Sequence, residues 1–284
     1  VRIDDLPPLR EVIAAHGLAA RKALGQNFLL DLNLTARIAR TSGALAGVHV
    51  IEVGPGPGGL TRALIAEGAA SVTAIEMDER CLPALSEIAA RYPGRLAVIQ
   101  GDALETDMAA LIGARRPARI VANLPYNVAA PLIIGWLKTE RWPPWFDSIT
   151  VMVQREFAER LVGRPDRPKD YGRLSVLTAM RMTAKIMFNV PPSAFVPQPK
   201  VMSSVVRLEP LAAPPAVPLA AVEQVTAAAF GQRRKMLRQS LKTLGDSATL
   251  LQAAEIRPEL RAEDVPPEGY IRLAQALRAT RSGG

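Results

Sequence analysis

Residues 48–61 read VHVIEVGPGPGGLT: an apolar, β-branched run passes directly into a loop of glycine and proline, and helical periodicity follows. A strand, a tight glycine turn and a helix in that order open an α/β sheet, which holds its ligands at the carboxyl ends of its strands. Four more runs repeat the pattern: SVTAIEM (71–77), RLAVIQG (95–101), ARIVAN (118–123) and SITVMVQ (148–154). Amphipathic stretches between them predict crossover helices and therefore parallel pairing. TAKIMFNV (183–190) and SSVVRLE (203–209) follow each other closely and are expected to extend one edge, one of them antiparallel. The expected sheet has seven strands and is mostly parallel.

The chain then changes character. In EPLAAPPAVPLA (209–220) the prolines remove backbone donors and fix φ, so 210–220 is predicted to be a linker between a large domain, 1–209, and a small helical one, 221–284. AVEQVTAAAFGQRRKMLRQSLKTL (221–244) and EGYIRLAQALRAT (268–280) read as helices on either side of a proline-containing loop. With 284 residues, 49% of them hydrophobic, both cores can be filled. No apolar run is long enough to span a bilayer, and VRIDDLPPLR lacks the pattern of a secretory signal, so a soluble cytoplasmic protein is expected. Cys81 is the single cysteine and His16 and His49 the only histidines, which excludes an internal disulfide and a Cys/His zinc cluster. No metal and no oligomeric partner is expected. The net charge is +8, and its excess falls in 151–250, where 15 Lys and Arg face 7 Asp and Glu. A polyanion such as nucleic acid would be drawn there.

By spacing alone, Gly54, Gly56 and Gly59 also match the dinucleotide fingerprint G-x-G-x-x-G. A pyrophosphate, however, needs backbone N–H groups around it, and Pro55 and Pro57 have none to give. A phosphate-free nucleoside such as S-adenosylmethionine needs something else: close backbone approach past glycine and a carboxylate for its ribose. Glu76 ends the next strand, 22 positions after Gly54, where an acid accepts from both ribose hydroxyls. Asp102, in GDA after the third strand, is placed to accept from an adenine amine.

The fourth strand ends in Asn123-Leu124-Pro125-Tyr126, at the same carboxyl edge. An exocyclic adenine amine is a poor nucleophile because its lone pair is delocalised into the ring. The Asn123 side-chain oxygen and the Leu124 carbonyl can each accept one N–H, turning that lone pair toward a methyl sulfonium. Pro125 stiffens the turn and keeps Leu124 out of helical geometry. Tyr126 offers a ring face for a splayed-out base, and Phe195, held in an extended loop by the prolines of PPSAFVPQPKVMSS, is the candidate second ring.

Taken together these motifs resemble the ribosomal RNA small-subunit (16S rRNA) adenine N6,N6-dimethyltransferase family over nearly the whole chain. ARKALGQNFLLD (20–31) is similar to its N-terminal motif, VIEVGPGPGGLT to its cofactor loop, AIEMD and GDA to its nucleoside contacts, NLPYN to its catalytic motif and FVPQPKVMSSVV to the motif before the last strand. YGRLSV, AFGQRRKMLRQSL and RAEDVPPEGY are also similar to segments of the small-subunit enzymes. The resemblance implies a Rossmann-like class I methyltransferase fold with a C-terminal helical domain, and S-adenosylmethionine as cofactor. It implies dimethylation of two adjacent adenosines in the 3′-terminal hairpin of small-subunit rRNA, within an assembling ribosomal subunit. It places Gln26, Asn27 and Leu29 at the methionine end of the cofactor, joined by Gly54, Gly56, Glu76, Met77, Asp102, Ala103 and Asn123. Two positions depart from the family pattern: Met202, commonly Asp, and Gln239, often Asn.

Arg233, Arg234, Lys235 and Arg238 form a basic cluster expected on a helix of the C-terminal domain, where they would bind RNA phosphates. Arg155, Arg160, Arg164, Arg167, Lys169 and Arg173 form a second, expected at the edge of the preceding domain. Two alternatives stay open on the sequence. One is a large-subunit rRNA adenine N6-methyltransferase conferring antibiotic resistance, which shares the GQNFL, glycine-loop and NLPY-type motifs; the other is a mainly non-catalytic ribosome-assembly factor.

Overall fold

In the computed structural model, which describes residues 4–21 and 25–282, a central sheet carries seven strands. They are β1 (His49–Val53), β2 (Ser71–Glu76), β3 (Leu96–Gln100), β4 (Ala118–Asn123), β5 (Ser148–Gln154), β6 (Met182–Val190) and β7 (Ser203–Pro210). Their order is β3-β2-β1-β4-β5-β7-β6. The first five pair in parallel, with Val50 opposite Val72 and Ile120 opposite Ile149, while β7 runs antiparallel to β5. Positions 50–53 and 148–153 are buried without alternation, as expected of strands covered on both faces. The seven strands and the antiparallel member beside β5 agree with the expectation. Lys22, Ala23 and Leu24 of the ARKALGQNFLLD motif lie outside the described residues.

The chain packs into two compact units, 1–158 with 185–209, and 159–184 with 210–284. The expected limits are therefore redrawn at 159–184. Tyr171, Val176 and Met180 of that segment are buried in one core with Val225, Tyr270 and Leu273, and the Tyr171 hydroxyl donates to the Val265 carbonyl at 2.7 Å. The run 221–244 is not one helix either. A helix covers Leu219–Gly231, a turn follows, and short helices occupy Leu237–Ser240 and Leu241–Leu244. Consequently Arg233, Arg234 and Lys235 sit in the turn, and only Arg238 is helical. The last helix runs from Pro267 to Ser282.

Within the first unit, the helix Gly59–Ala66 follows β1 and packs under the sheet, its side chains buried from Leu60 to Ile65. Gly58 caps it at φ +88°, and a Cβ there would meet Ile88 Cδ1 at 2.2 Å. Only glycine meets both the left-handed backbone and the close approach. The same helix buries a cation: Arg62 is paired with Asp4 and donates to the Pro7 carbonyl at 2.7 Å and the Leu6 carbonyl at 3.2 Å. Its Nε donates to Asp4 Oδ2 at 2.7 Å. The segment ahead of the helix Leu9–Ala15 is thereby fastened to the helix that follows the glycine loop.

Candidate active site

The sheet reverses its winding between β1 and β4, and a cavity opens where their carboxyl ends diverge. This is the crevice in which open α/β sheets hold ligands. β1 contributes Gly54 and Gly56 through its loop, β2 contributes Glu76 and Met77, and β3 contributes Asp102 and Ala103. From β4 come Asn123, Leu124, Pro125 and Tyr126, while Gln26, Asn27, Leu29 and Phe195 close the opposite side. The structure thus gathers around one cavity every residue expected to act on cofactor or substrate base. The last two of these meet through a two-residue antiparallel ladder, Leu29 opposite Phe195 and Phe28 opposite Val196.

The loop is saturated by its own surroundings. Gly54 N–H donates to the Ile75 carbonyl at 2.9 Å, Gly58 N–H to the Pro55 carbonyl at 3.0 Å, and Gly56 N–H to Glu76 Oε2 at 2.8 Å. Pro55 and Pro57 have no N–H, so within 54–58 every backbone donor is absent or already bonded. Leu9 and the Leu29 carbonyl crowd Gly59, the first residue of the following helix. A pyrophosphate finds no cradle here. The donor set fits S-adenosylmethionine instead: a buried carboxylate at Glu76 for ribose, Asp102 beside the apolar Met77 and Ala103 for adenine, and the amides of Asn27 and Asn123 for the amino-acid end. Gly56 is also needed for close approach, since a Cβ there would come within 3.3 Å of the Phe28 ring.

Glu76 Oε1 accepts the Asp78 N–H at 2.8 Å, so both carboxylate oxygens are fixed in orientation and keep lone pairs for a ligand. Burial raises its pKa, and the bonds from Asp78 and Gly56 oppose that rise. Glu76→Gln replaces one acceptor by a donor facing an N–H. We expect S-adenosylmethionine affinity, measured by calorimetry, to fall about 10- to 100-fold, in line with the loss of one charge-assisted hydrogen bond; unchanged affinity would refute the ribose role.

Asn123 leans its Nδ2 toward the Asn27 carbonyl at 3.5 Å, and among the described residues nothing donates to its Oδ1. The Leu124 N–H is held by the Met152 carbonyl at 3.2 Å, and no described backbone N–H takes the Leu124 carbonyl. The two acceptors the chemistry requires therefore stand at the cavity with capacity to spare. Tyr126 opens the helix Tyr126–Leu137, and its hydroxyl lies 2.6 Å from the hydroxyl of the buried Ser203, which fixes the ring. Phe195 is 1% exposed: it lines the cavity and also belongs to the core. Gln26 borders the cavity with its amide already engaged, accepting from the Arg21 N–H at 2.9 Å and donating to Asp78 at 2.8 Å. Its visible work is to fasten the GQN segment to the β2 loop. Asp78, bonded by the Arg80 guanidinium, is held down to about 2 and stays charged. At the Met202 departure the backbone serves, its carbonyl accepting the Arg155 N–H at 2.9 Å; Gln239 is exposed.

Asn127 and Glu52 are among the cavity residues that the sequence reading did not single out. Asn127 packs against Gly25, and Glu52 is buried with Thr61 donating to its Oε2 at 2.6 Å. Burial, with the neighbouring Glu76, pushes Glu52 up to about 8 despite the Thr61 bond. Its acidic type and position one residue before the end of the strand were the available signal. Because the folded chain keeps this proton while the unfolded chain gives it up, stability is full below the ordinary carboxyl range and declines up to about pH 8. Glu52→Gln is expected to flatten that decline in thermal-melting profiles from about pH 5 to 9; a profile identical to wild type would contradict a protonated Glu52.

In the second unit, Arg233 is tied to Glu263 at 2.6 Å and to the Pro168 carbonyl. Arg234, Lys235 and Arg238 are exposed, as are Arg167 and Lys169. The Arg233 bridge brings the loop at 168, which carries Arg167 and Lys169 of the second expected cluster, against the turn 233–235 on this unit, whereas Arg155 of that cluster belongs to the first unit.

A family model described as ribosomal RNA adenine dimethylase matches residues 17–279. The chain belongs to that family. It is 61% identical over 282 residues to the ribosomal RNA small subunit methyltransferase A of Xanthobacter autotrophicus, covering 99% of this chain and 97% of the relative. The same-named protein of Rhodopseudomonas palustris is 63% identical over 281 residues, with 99% and 97% covered. Among solved structures, the 23S rRNA methyltransferase ErmE is 29% identical, with a TM-score of 0.67 over 89% of this chain and 100% of that one. A dimethyladenosine transferase from Plasmodium falciparum, 22% identical, shares the fold with a TM-score of 0.73, covering 87% and 96%. The class I methyltransferase fold and S-adenosylmethionine as cofactor follow.

Proposed function

We propose that this S-adenosylmethionine-dependent enzyme dimethylates the N6 amines of two adjacent adenosines in the 3′-terminal hairpin of small-subunit rRNA, in an assembling subunit in the cytoplasm. The observation that carries the reading is the pair of uncommitted acceptors, Asn123 Oδ1 and the Leu124 carbonyl, lining a cavity whose glycine loop 54–58 has no backbone donor left for a phosphate. The cofactor, when bound, supplies a methyl group on a sulfonium sulfur. Asn123 and Leu124 hold the amine hydrogens so that the nitrogen lone pair leaves conjugation with the ring and points at that methyl. Pro125 keeps the carbonyl in place, and the Tyr126 ring, anchored by Ser203, presents a face for the extruded base. No strong base is required: the methylated nitrogen is acidic enough to release its proton to water. The exposed cations of the second unit supply phosphate contacts.

The small-subunit reading is supported over the large-subunit one by likeness: the small-subunit relatives are 61% and 63% identical, ErmE 29%. Incubating the protein with labelled donor and undermethylated small subunits should yield dimethyladenosine at two neighbouring positions. Methylation of protein-free large-subunit rRNA instead would favour the resistance-type reading, and cofactor binding without transfer would favour an assembly factor. No helix among the described residues is long and apolar enough to cross a membrane, and none of their His, Cys, Asp and Glu residues form a metal-binding group.

A further inference from the structure

Beside the cofactor cavity lies a second, polar groove in the same unit, and the two are divided by the ladder of Phe28–Leu29 with Phe195–Val196. Three pairs of consecutive residues straddle the divide. Leu9, Leu29 and Phe195 border the cofactor cavity; Arg10, Leu30 and Val196 border the groove. Anything seated against Phe195 is therefore one residue's width from the groove, about 3.3 Å along the chain.

The groove carries cationic and small polar side chains. Arg10 and Arg37 are exposed at its wall, and neither guanidinium has a hydrogen bond or ion pair among the described residues. Arg37 is held flat over the Phe188 ring, 3.8 Å from its centroid, which orients its fork without using its donors. Asn189 accepts from the Ser204 hydroxyl at 2.7 Å through Oδ1, leaving its amide hydrogens for a ligand, and Ser193 adds a hydroxyl. The acid on the wall, Asp31, is turned to its own helix, where Oδ1 accepts the Asn33 N–H at 2.8 Å. Two uncommitted arginines thus outweigh one committed carboxylate. Val196, 49% exposed, forms an apolar step on the divide.

We propose that this groove binds the nucleotide next to the target adenosine, its backbone phosphodiester on Arg10 and Arg37 and its ribose on Asn189 and Ser193. The inference rests on the RNA-methylating reading above and adds a subsite to it. RNA backbones are gripped by arginine forks, and 2′-hydroxyls by small polar side chains. A strand crossing the ladder would place the extruded base on one side and its neighbour's phosphate on the other.

The test uses the full chain with undermethylated small subunits. Arg10→Glu with Arg37→Glu should raise the KM for subunits about tenfold, with the loss in kcat/KM residing in KM. It should also lower the slope of log affinity against log salt by about one to two, as for lost phosphate contacts. Affinity for S-adenosylmethionine, measured on the same preparations, should match wild type. Because Arg37 also packs on Phe188, Arg10→Glu alone serves as the variant without a folding role, with half the slope change expected. A photo-crosslinking residue at Val196 should attach to the nucleotide adjoining the modified adenosine. Unchanged KM and salt slope, or crosslinks only to RNA distant from that adenosine, would overturn the proposal. Absence of dimethyladenosine with the wild-type chain would instead overturn the functional reading, so the two failures are distinguishable.

Discussion

Asn123→Ala is expected to lower single-turnover methyl transfer by about 100- to 1,000-fold, the loss usual when one preorganised polar partner of a developing charge is removed. The side chain faces the cavity, its Nδ2 makes only a 3.5 Å contact to the Asn27 carbonyl, and its Oδ1 is uncommitted, so little of the fold depends on it. Circular dichroism should therefore stay near wild type, and donor affinity should fall far less than transfer does, because Asn27 remains at the amino-acid end of the cavity. Asn123→Asp keeps an acceptor oxygen at the same place and should lose less than the alanine variant. Transfer within tenfold of wild type in Asn123→Ala would remove Asn123 from the chemistry and leave the Leu124 carbonyl alone to orient the amine.

Removing the buried guanidinium of Arg62 is the second large effect. In Arg62→Met the Asp4 carboxylate loses this charged partner while remaining buried, a change that costs about 3–5 kcal/mol. The Pro7 and Leu6 carbonyls lose donors as well. For a unit of this size the melting temperature should drop on the order of 10 °C. The exposed pair Arg91–Asp5, holding the same segment, is the control, since solvent screens it and Asp5→Asn is expected to leave the melting temperature close to wild type. Because this segment leads to Leu9, which covers Gly59 at the cavity, cofactor affinity should weaken along with stability in Arg62→Met. Wild-type melting in that variant would show the pair to be dispensable.

The contrast between these residues explains what the sequence made legible. Asn123 and Glu76 close apolar runs that end at one sheet edge, and buried parallel strands announce themselves without alternation, so their common location could be read from position alone. The prolines within the loop pointed to the ligand class for a similar local reason. Arg62 and Asp4 are 58 positions apart, and an ion pair of that separation leaves no periodic trace. Segment 159–184 was misplaced on the same ground: its partners, Val225 and Tyr270, come long after the sheet has been completed. The helix expected through 221–244 failed locally instead. Alanine-rich propensity carries Leu219–Gly231, but Gln232 adopts φ −126° and ψ 48°, and the Arg233 bridge to Glu263 and Pro168 rewards a turn.

The self-bonded glycine loop bears on life among abundant competitors. Nicotinamide dinucleotides and nucleoside triphosphates share the adenosine moiety, and a pocket that recognised adenosine alone would sit clogged with them. With no amide in 54–58 left to neutralise a phosphate, and the Glu76 carboxylate close by, their negative tails meet repulsion without compensation. Selectivity against the cell's common metabolites thus follows from the loop's own bonds together with one carboxylate, Glu76, that also faces the ribose.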